Sequence, residues 1–220
     1  MSDTDDAIFR EVDEEVRQDE YKKIWDRYGK YLSTVAIVIL AGVAGFQGWK
    51  YYQQKQAEDA GAVYFDALRK AADGKTDDAI AAFAAVNHAG FGQLAAIQSA
   101  SLLAKKGDVD KAVAAYDAFA ANAANDPTLT DLARIRAGYA LVDTAKVDDL
   151  TARMAKFDNQ SSAWRNEARE VLGLAAWRAK DFAKADKYMK MIFVDSAAPA
   201  QMHQRAQIMI QLIAPNLPQK

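Results

Sequence analysis

The sequence predicts an all-α protein: a single N-terminal transmembrane helix, then an α-solenoid of about four helix pairs, closed by a C-terminal capping helix. Three observations lead there. Residues 31–49 carry no charge. A motif of a turn residue, a small residue and then a large one recurs in four copies beyond residue 56, the third of them degenerate. Alanine is frequent throughout, against 11 glycines and 4 prolines in 220 residues. That balance favours helix, because Ala has the best helix propensity and Gly and Pro the worst.

Composition sets the outer limits. The chain is 51% hydrophobic and 26% charged, as expected of a folded protein. Its formal net charge of -2 supplies no basic face of the kind that nucleic acid demands, so no nucleic-acid partner is expected. The absence of cysteine excludes disulfides, thiolate zinc sites and cysteine nucleophiles. Two histidines far apart, His88 and His203, make a histidine metal site improbable, and no cofactor is expected.

Residues 1–30 form an acidic, amphipathic stub. Asp5 or Asp6 can cap a helix, with Ile8, Val12 and Val16 repeating along one edge. Acids come first and bases last, which suits the helix dipole and places Lys22 to Lys30 near anionic headgroups. A docking helix for a membrane-embedded partner and a partly disordered tail both fit this stretch.

Residues 31–52 are assigned to the transmembrane helix. The 19 uncharged residues 31–49 span roughly 28 Å as a helix, close to the ~30 Å hydrocarbon core of a bilayer. Trp25, Tyr28 and Tyr31 border one end and Trp49, Tyr51 and Tyr52 the other, where membrane interfaces favour amphipathic aromatics. No polar face interrupts the run, unlike an amphipathic core helix. Gly42-Val43-Ala44 resembles a signal-peptidase site, but the long acidic segment before it does not fit a short basic n-region. Lys22, Lys23, Arg27 and Lys30 precede the span, and only Lys50 and Lys55 follow closely. That bias predicts a single-pass protein with its N-terminus in the cytoplasm and its large C-terminal part across the membrane. Ala41, Gly42, Gly45 and Gly48 make a candidate helix-packing face. Glycines are also simply more common in membrane helices.

Residues 56–220 read as the repeat domain. Gly74-Lys-Thr-Asp-Asp-Ala-Ile-Ala-Ala-Phe83 aligns with Gly107-Asp-Val-Asp-Lys-Ala-Val-Ala-Ala-Tyr116, then with Ala145 to Met154 and Lys180 to Met189. The spacings of 33, 38 and 35 residues match the period of tetratricopeptide repeats. Gly74 and Gly107 end each first helix in a left-handed turn. Ala79, Ala112 and Ala185 allow close approach of the second helix, and Phe83, Tyr116, Met154 and Met189 fill the space behind it. Leu150 replaces the small residue in the third unit, which predicts a degenerate or splayed pair.

First helices are expected at roughly 56–72, 93–105, 128–143 and 163–178. Turn-rich breaks NHAGFG, NAANDP and DNQSS separate the units. After Pro199, AQMHQRAQIMIQLI places Met202, Ala206, Met209 or Ile210, and Ile213 on one face. This helix is expected to cap the last repeat, whose apolar side would otherwise meet water.

No catalytic constellation is present, so an enzyme is not expected. Gly90-Phe91-Gly92 lacks a preceding strand and a third glycine, and reads as a loop. Asp77-Asp78 and Asp148-Asp149 fall in first turns of second helices, where acids favour the positive helix end. A peptide-binding groove is the better candidate. In such arrays first helices line a concave surface, here placing Tyr64, Ser101, Tyr139, Glu170, Leu174 and Trp177 on it. Any of these residues can instead pack against the next repeat.

The layout resembles the YfgM-like family. A cytoplasmic stub, a span after "YGKYL", the exit "GWKYYQQKQ", the stretch Gly90 to Tyr116 and the closing Ala198 to Ile213 carry the resemblance. The longer acidic stub looks like an alphaproteobacterial-type member. The resemblance implies an ancillary subunit of the SecYEG translocon, a scaffold contacting periplasmic chaperones or emerging client polypeptides. An envelope adaptor in cell division or outer-membrane assembly is the alternative.

Overall fold

In the computed structural model the backbone is described for residues 3–218, with side chains throughout that range except residues 3–21 and Ile24. The predicted Asp5 or Asp6 cap and the Ile8, Val12, Val16 edge therefore lie outside the described side chains. Helices alone make up the regular structure of the described residues. The chain divides into two compact units, residues 1–56 and 57–220.

The first helix, α1 (Asp3–Ala72), runs without interruption. The sequence reading separated stub, span and first repeat helix. No proline lies between Asp3 and Ala72, and Gln53-Gln54-Lys55-Gln56 are all good helix formers, so nothing in the chain stops the helix until Gly74. There, Lys75 N–H donates to Lys70 O (2.9 Å) across Gly74, whose φ is 78°.

The second unit contains α2 (Thr76–Ala84), α3 (Ala89–Lys106), α4 (Val109–Ala121), α5 (Pro127–Leu141), α6 (Val147–Met154), α7 (Arg165–Arg178), α8 (Phe182–Phe193) and α9 (Ala200–Ile213). The end of α1 pairs with α2, α3 with α4, α5 with α6 and α7 with α8. Gly107, with φ 95°, closes α3 as Gly74 closes α1. Lys180 takes the equivalent left-handed place in the fourth unit, with φ 62°.

The small residues behave as their spacing predicts: Ala79, Ala112 and Ala185 are fully buried, and so are or nearly are Phe83, Tyr116, Met154 and Met189. Leu150 is also fully buried, but α6 is the shortest second helix and packs sparsely on α5. Buried clusters run from one pair to the next, so the core is continuous along the unit. On α9, Met202, Ala206 and Ile213 are buried, and Met209 and Ile210 pack beside them.

The Gly90-Phe91-Gly92 loop is corrected. These residues form the first turn of α3, because His88 Nδ1 accepts from Gly90 N (3.2 Å) and Phe91 N (3.3 Å). Two orphan amides are thereby satisfied, and the helix starts four residues earlier than its polar composition indicates. His203 is likewise structural, its Nε2 lying 2.8 Å from Asp195 O.

Candidate functional site

Helix α7 organises the site, because packed repeats cover it on both sides and it still carries three buried polar residues, Asn166, Arg169 and Glu170. Its two polar faces do different work.

On one face Arg169 lies 3.3 Å from Asp195 and 3.6 Å from Asp158. Arg165 holds Asp195 through two bonds of 2.6 and 2.9 Å. The Arg165 guanidinium keeps the Asp195 carboxyl well below the usual carboxylate range, helped by the Ala197 amide. This network ties the segment between α8 and α9 to α7.

On the other face Glu167, Glu170 and Leu174 follow one another at helical spacing. They front a cavity of about 690 Å³ between α5, α7 and α9. Tyr139 of α5 lines it, as do Met202, Arg205, Ile208 and Met209 of α9. The polar end is built around Glu170. Tyr139 donates its hydroxyl to Glu170 Oε2 (2.6 Å), and Arg205 donates from Nε to Oε1 (2.7 Å) and from Nη2 to Oε2 (2.9 Å). Burial and the Glu170 carboxylate push the Tyr139 phenol far up, so it stays a proton donor. Glu167 also lines the cavity, and the remaining walls are the apolar side chains of Leu174, Met202, Ile208 and Met209. A concave, mainly apolar cavity of this size with a few convergent polar groups has the form of a ligand or peptide pocket.

Three of the six predicted groove residues, Tyr139, Glu170 and Leu174, meet in this cavity. Tyr64 fills the core of the first pair, 7% exposed, with the rings of Phe83 at 5.5 Å and Phe91 at 5.6 Å. Ser101 bonds Tyr116 Oη (2.8 Å) and accepts from Arg136 of α5. Trp177 is 42% exposed and is not among the lining residues. Glu167, Met202, Arg205, Ile208 and Met209 were not read from the sequence as groove residues. A signal for them existed: Glu170 and Arg205 are 35 residues apart, one repeat period, so α9 follows the pattern of a fifth first helix.

Among the described residues one helix, Trp25–Ala72, is long and apolar enough to cross a membrane. Val35, Ile37, Val38, Ile39, Leu40, Val43 and Phe46 are each more than half exposed in the isolated chain. Removing such side chains from water is worth roughly 1.5–3 kcal/mol each, a strong drive towards an apolar surrounding. A Cβ added at Gly42, Gly45 or Gly48 meets nothing within 4 Å, and Ala41 is exposed beside them.

The chain matches the family model described as a tetratricopeptide repeat-like domain over residues 22–212. No curated protein and no solved structure matches it.

Proposed function

This chain belongs to the tetratricopeptide repeat-like domain family, a fold of protein-interaction scaffolds with no catalytic family indicated, and we propose that it is a membrane-anchored adaptor that holds peptide segments of partner proteins. The observation that carries the proposal is the apolar cavity between α5, α7 and α9, on the side of the repeats formed by first helices. Residues 31–52 cross the bacterial inner membrane, with residues 1–30 in the cytoplasm and 56–220 in the periplasm. The exposed apolar run and the lysine bias at its ends support that topology. The face of Ala41, Gly42, Gly45 and Gly48 packs on a helix of an integral partner. The resemblance to the YfgM-like family makes that partner the SecYEG translocon, with periplasmic chaperones or emerging polypeptides as the segments bound.

Photocrosslinkers at Gly42, Gly45 and Gly48 are expected to capture a translocon subunit in intact membranes. Capture of none, with enrichment of a fluorescent fusion at the division septum, would favour the envelope-adaptor reading instead. Because the chain has no cysteine, a single Thr144→Cys variant reports topology. An impermeant maleimide should label it in spheroplasts with an intact inner membrane. Labelling only after lysis would overturn the periplasmic assignment.

A further inference from the structure

We infer that the cavity between α5, α7 and α9 takes an apolar peptide segment bearing one lysine or arginine, with Glu167 receiving the cation. The inference rests on the proposed adaptor role and names the chemistry of the partner segment.

The charges lining the cavity are unequal, two carboxylates against one guanidinium. Arg205 spends its fork on Glu170, occupying both oxygens, and Tyr139 adds a third donor. Glu170 is therefore neutralised within the protein. Glu167, one turn earlier on the same face, is different: its Oε2 is buried and accepts no hydrogen bond. A carboxylate with one oxygen turned away from water and given no donor is poorly compensated, and a cation placed in the cavity beside Glu167 lowers that cost by charge attraction.

The apolar walls complete the requirement. Leu174, Met202, Ile208 and Met209 present aliphatic and thioether surface, and methionines adapt to side chains of different shape. A lysine or arginine can lay its methylene stem along this surface and place its charged head at Glu167. A wholly apolar segment leaves Glu167 unpaired. An acidic segment meets a carboxylate with no free cation opposite it, because Arg205 is already engaged. Charge complementarity thus ranks basic above neutral above acidic segments.

The test uses the full chain in phosphatidylcholine nanodiscs and three fluorescein-labelled peptides, Leu-Ala-Lys-Leu-Ala and its Gln and Glu analogues at the central position. Fluorescence anisotropy should rank the Lys peptide at least about tenfold tighter than the Glu peptide, with Gln between them. Glu167→Gln should erase the ranking, and Glu167→Lys should invert it, with helical circular dichroism unchanged in both. The variants in the same nanodiscs remove any background from peptide binding to lipid. Equal affinity for all three peptides, lost in Leu174→Asp, would overturn this inference and leave the adaptor groove standing. A Lys preference that survives Glu167→Gln would also overturn it. No binding of any peptide would overturn both the inference and the groove.

Discussion

Gly173→Ala sets two known effects against each other at one atom. Gly173 lies in the interior of α7, where replacing Gly by Ala gains about 1 kcal/mol of helix propensity. A Cβ built there falls 2.6 Å from Met189 Cε and 3.3 Å from Tyr188 Cβ. Overpacking of this kind costs about 1–3 kcal/mol. The Met189 methyl is the mobile end of its side chain, but Met189 is 1% exposed and packed in the cluster with Ala176, Ile192 and Ile213. It has little room to retreat, and Tyr188 Cβ is fixed by the backbone of α8. Overpacking therefore wins, for a net loss of about 1 kcal/mol, or a melting temperature lower by roughly 2–4 °C. Thermal unfolding of the full chain in detergent, followed by far-ultraviolet circular dichroism, measures it. Met189→Leu removes the terminal methyl, and in that background Gly173→Ala should become neutral or stabilising. The cycle should give a coupling of about 1 kcal/mol or more. Stabilisation by Gly173→Ala alone would mean that propensity decides, and would refute the close approach of α7 and α8.

Four further outcomes follow from the same structure. Lys180→Gly should stabilise by about 1 kcal/mol in urea unfolding, because a left-handed backbone at φ 62° strains any residue with a Cβ. Ala112→Leu should destabilise by about 1–3 kcal/mol, since Ala112 has no exposed surface between α3 and α4; an unchanged melting temperature would count against the repeat alignment. Arg205→Ala should cost about 1–3 kcal/mol, less than a fully buried pair because Arg205 is half exposed, and adding Glu170→Gln should recover part of the loss. The Asp195 carboxyl is held below its usual range by Arg165, so its contribution is complete above pH ~4 and drains away as pH falls further. Asp195→Asn should lower stability at neutral pH and flatten the acid limb of a stability-against-pH series.

What the sequence made legible is what backbone geometry forces. Turns at Gly74 and Gly107 need a positive φ, and an alanine five residues later reads as a contact. The other half of that contact was hidden. Ala67, Ala100, Gly138 and Gly173 each sit seven residues before the turn residue; the alanines share buried clusters with Phe83 and Tyr116, and the glycines lie against Met154 and Met189. An alanine in an alanine-rich helix carries no signal, and a glycine in a helix reads as a breaker. The partners explain them: alanine shares its cluster with a ring, and glycine lies opposite a methionine, whose Cε would be 2.8 Å from a Cβ at 138. The Gly90 turn departs from its sequence signal for the converse reason: a local signal for loop is overruled by the His88 cap. At the site, Tyr139, Glu170 and Leu174 were legible from the face of the first helices. Arg205 and Met209 were not, because α9 was read as a lid on the core and not also as a groove wall.

The groove residues double as joints between repeats, and this bears on binding. Ser101 to Arg136, Tyr139 to Glu170 and Glu170 to Arg205 link successive first helices at separations of 35, 31 and 35 residues. Partly buried polar pairs of this sort contribute little net stability, because desolvation offsets most of their attraction. They do constrain how one helix lies on the next: a slip of α7 breaks three bonds at once. Fixing α5, α7 and α9 in this way holds the cavity open before a ligand arrives, so less conformational freedom is lost on binding. Glu167 lies beside that ladder and outside it. A residue left out of the joints keeps its charge available for a partner, whereas Glu170, which completes them, does not.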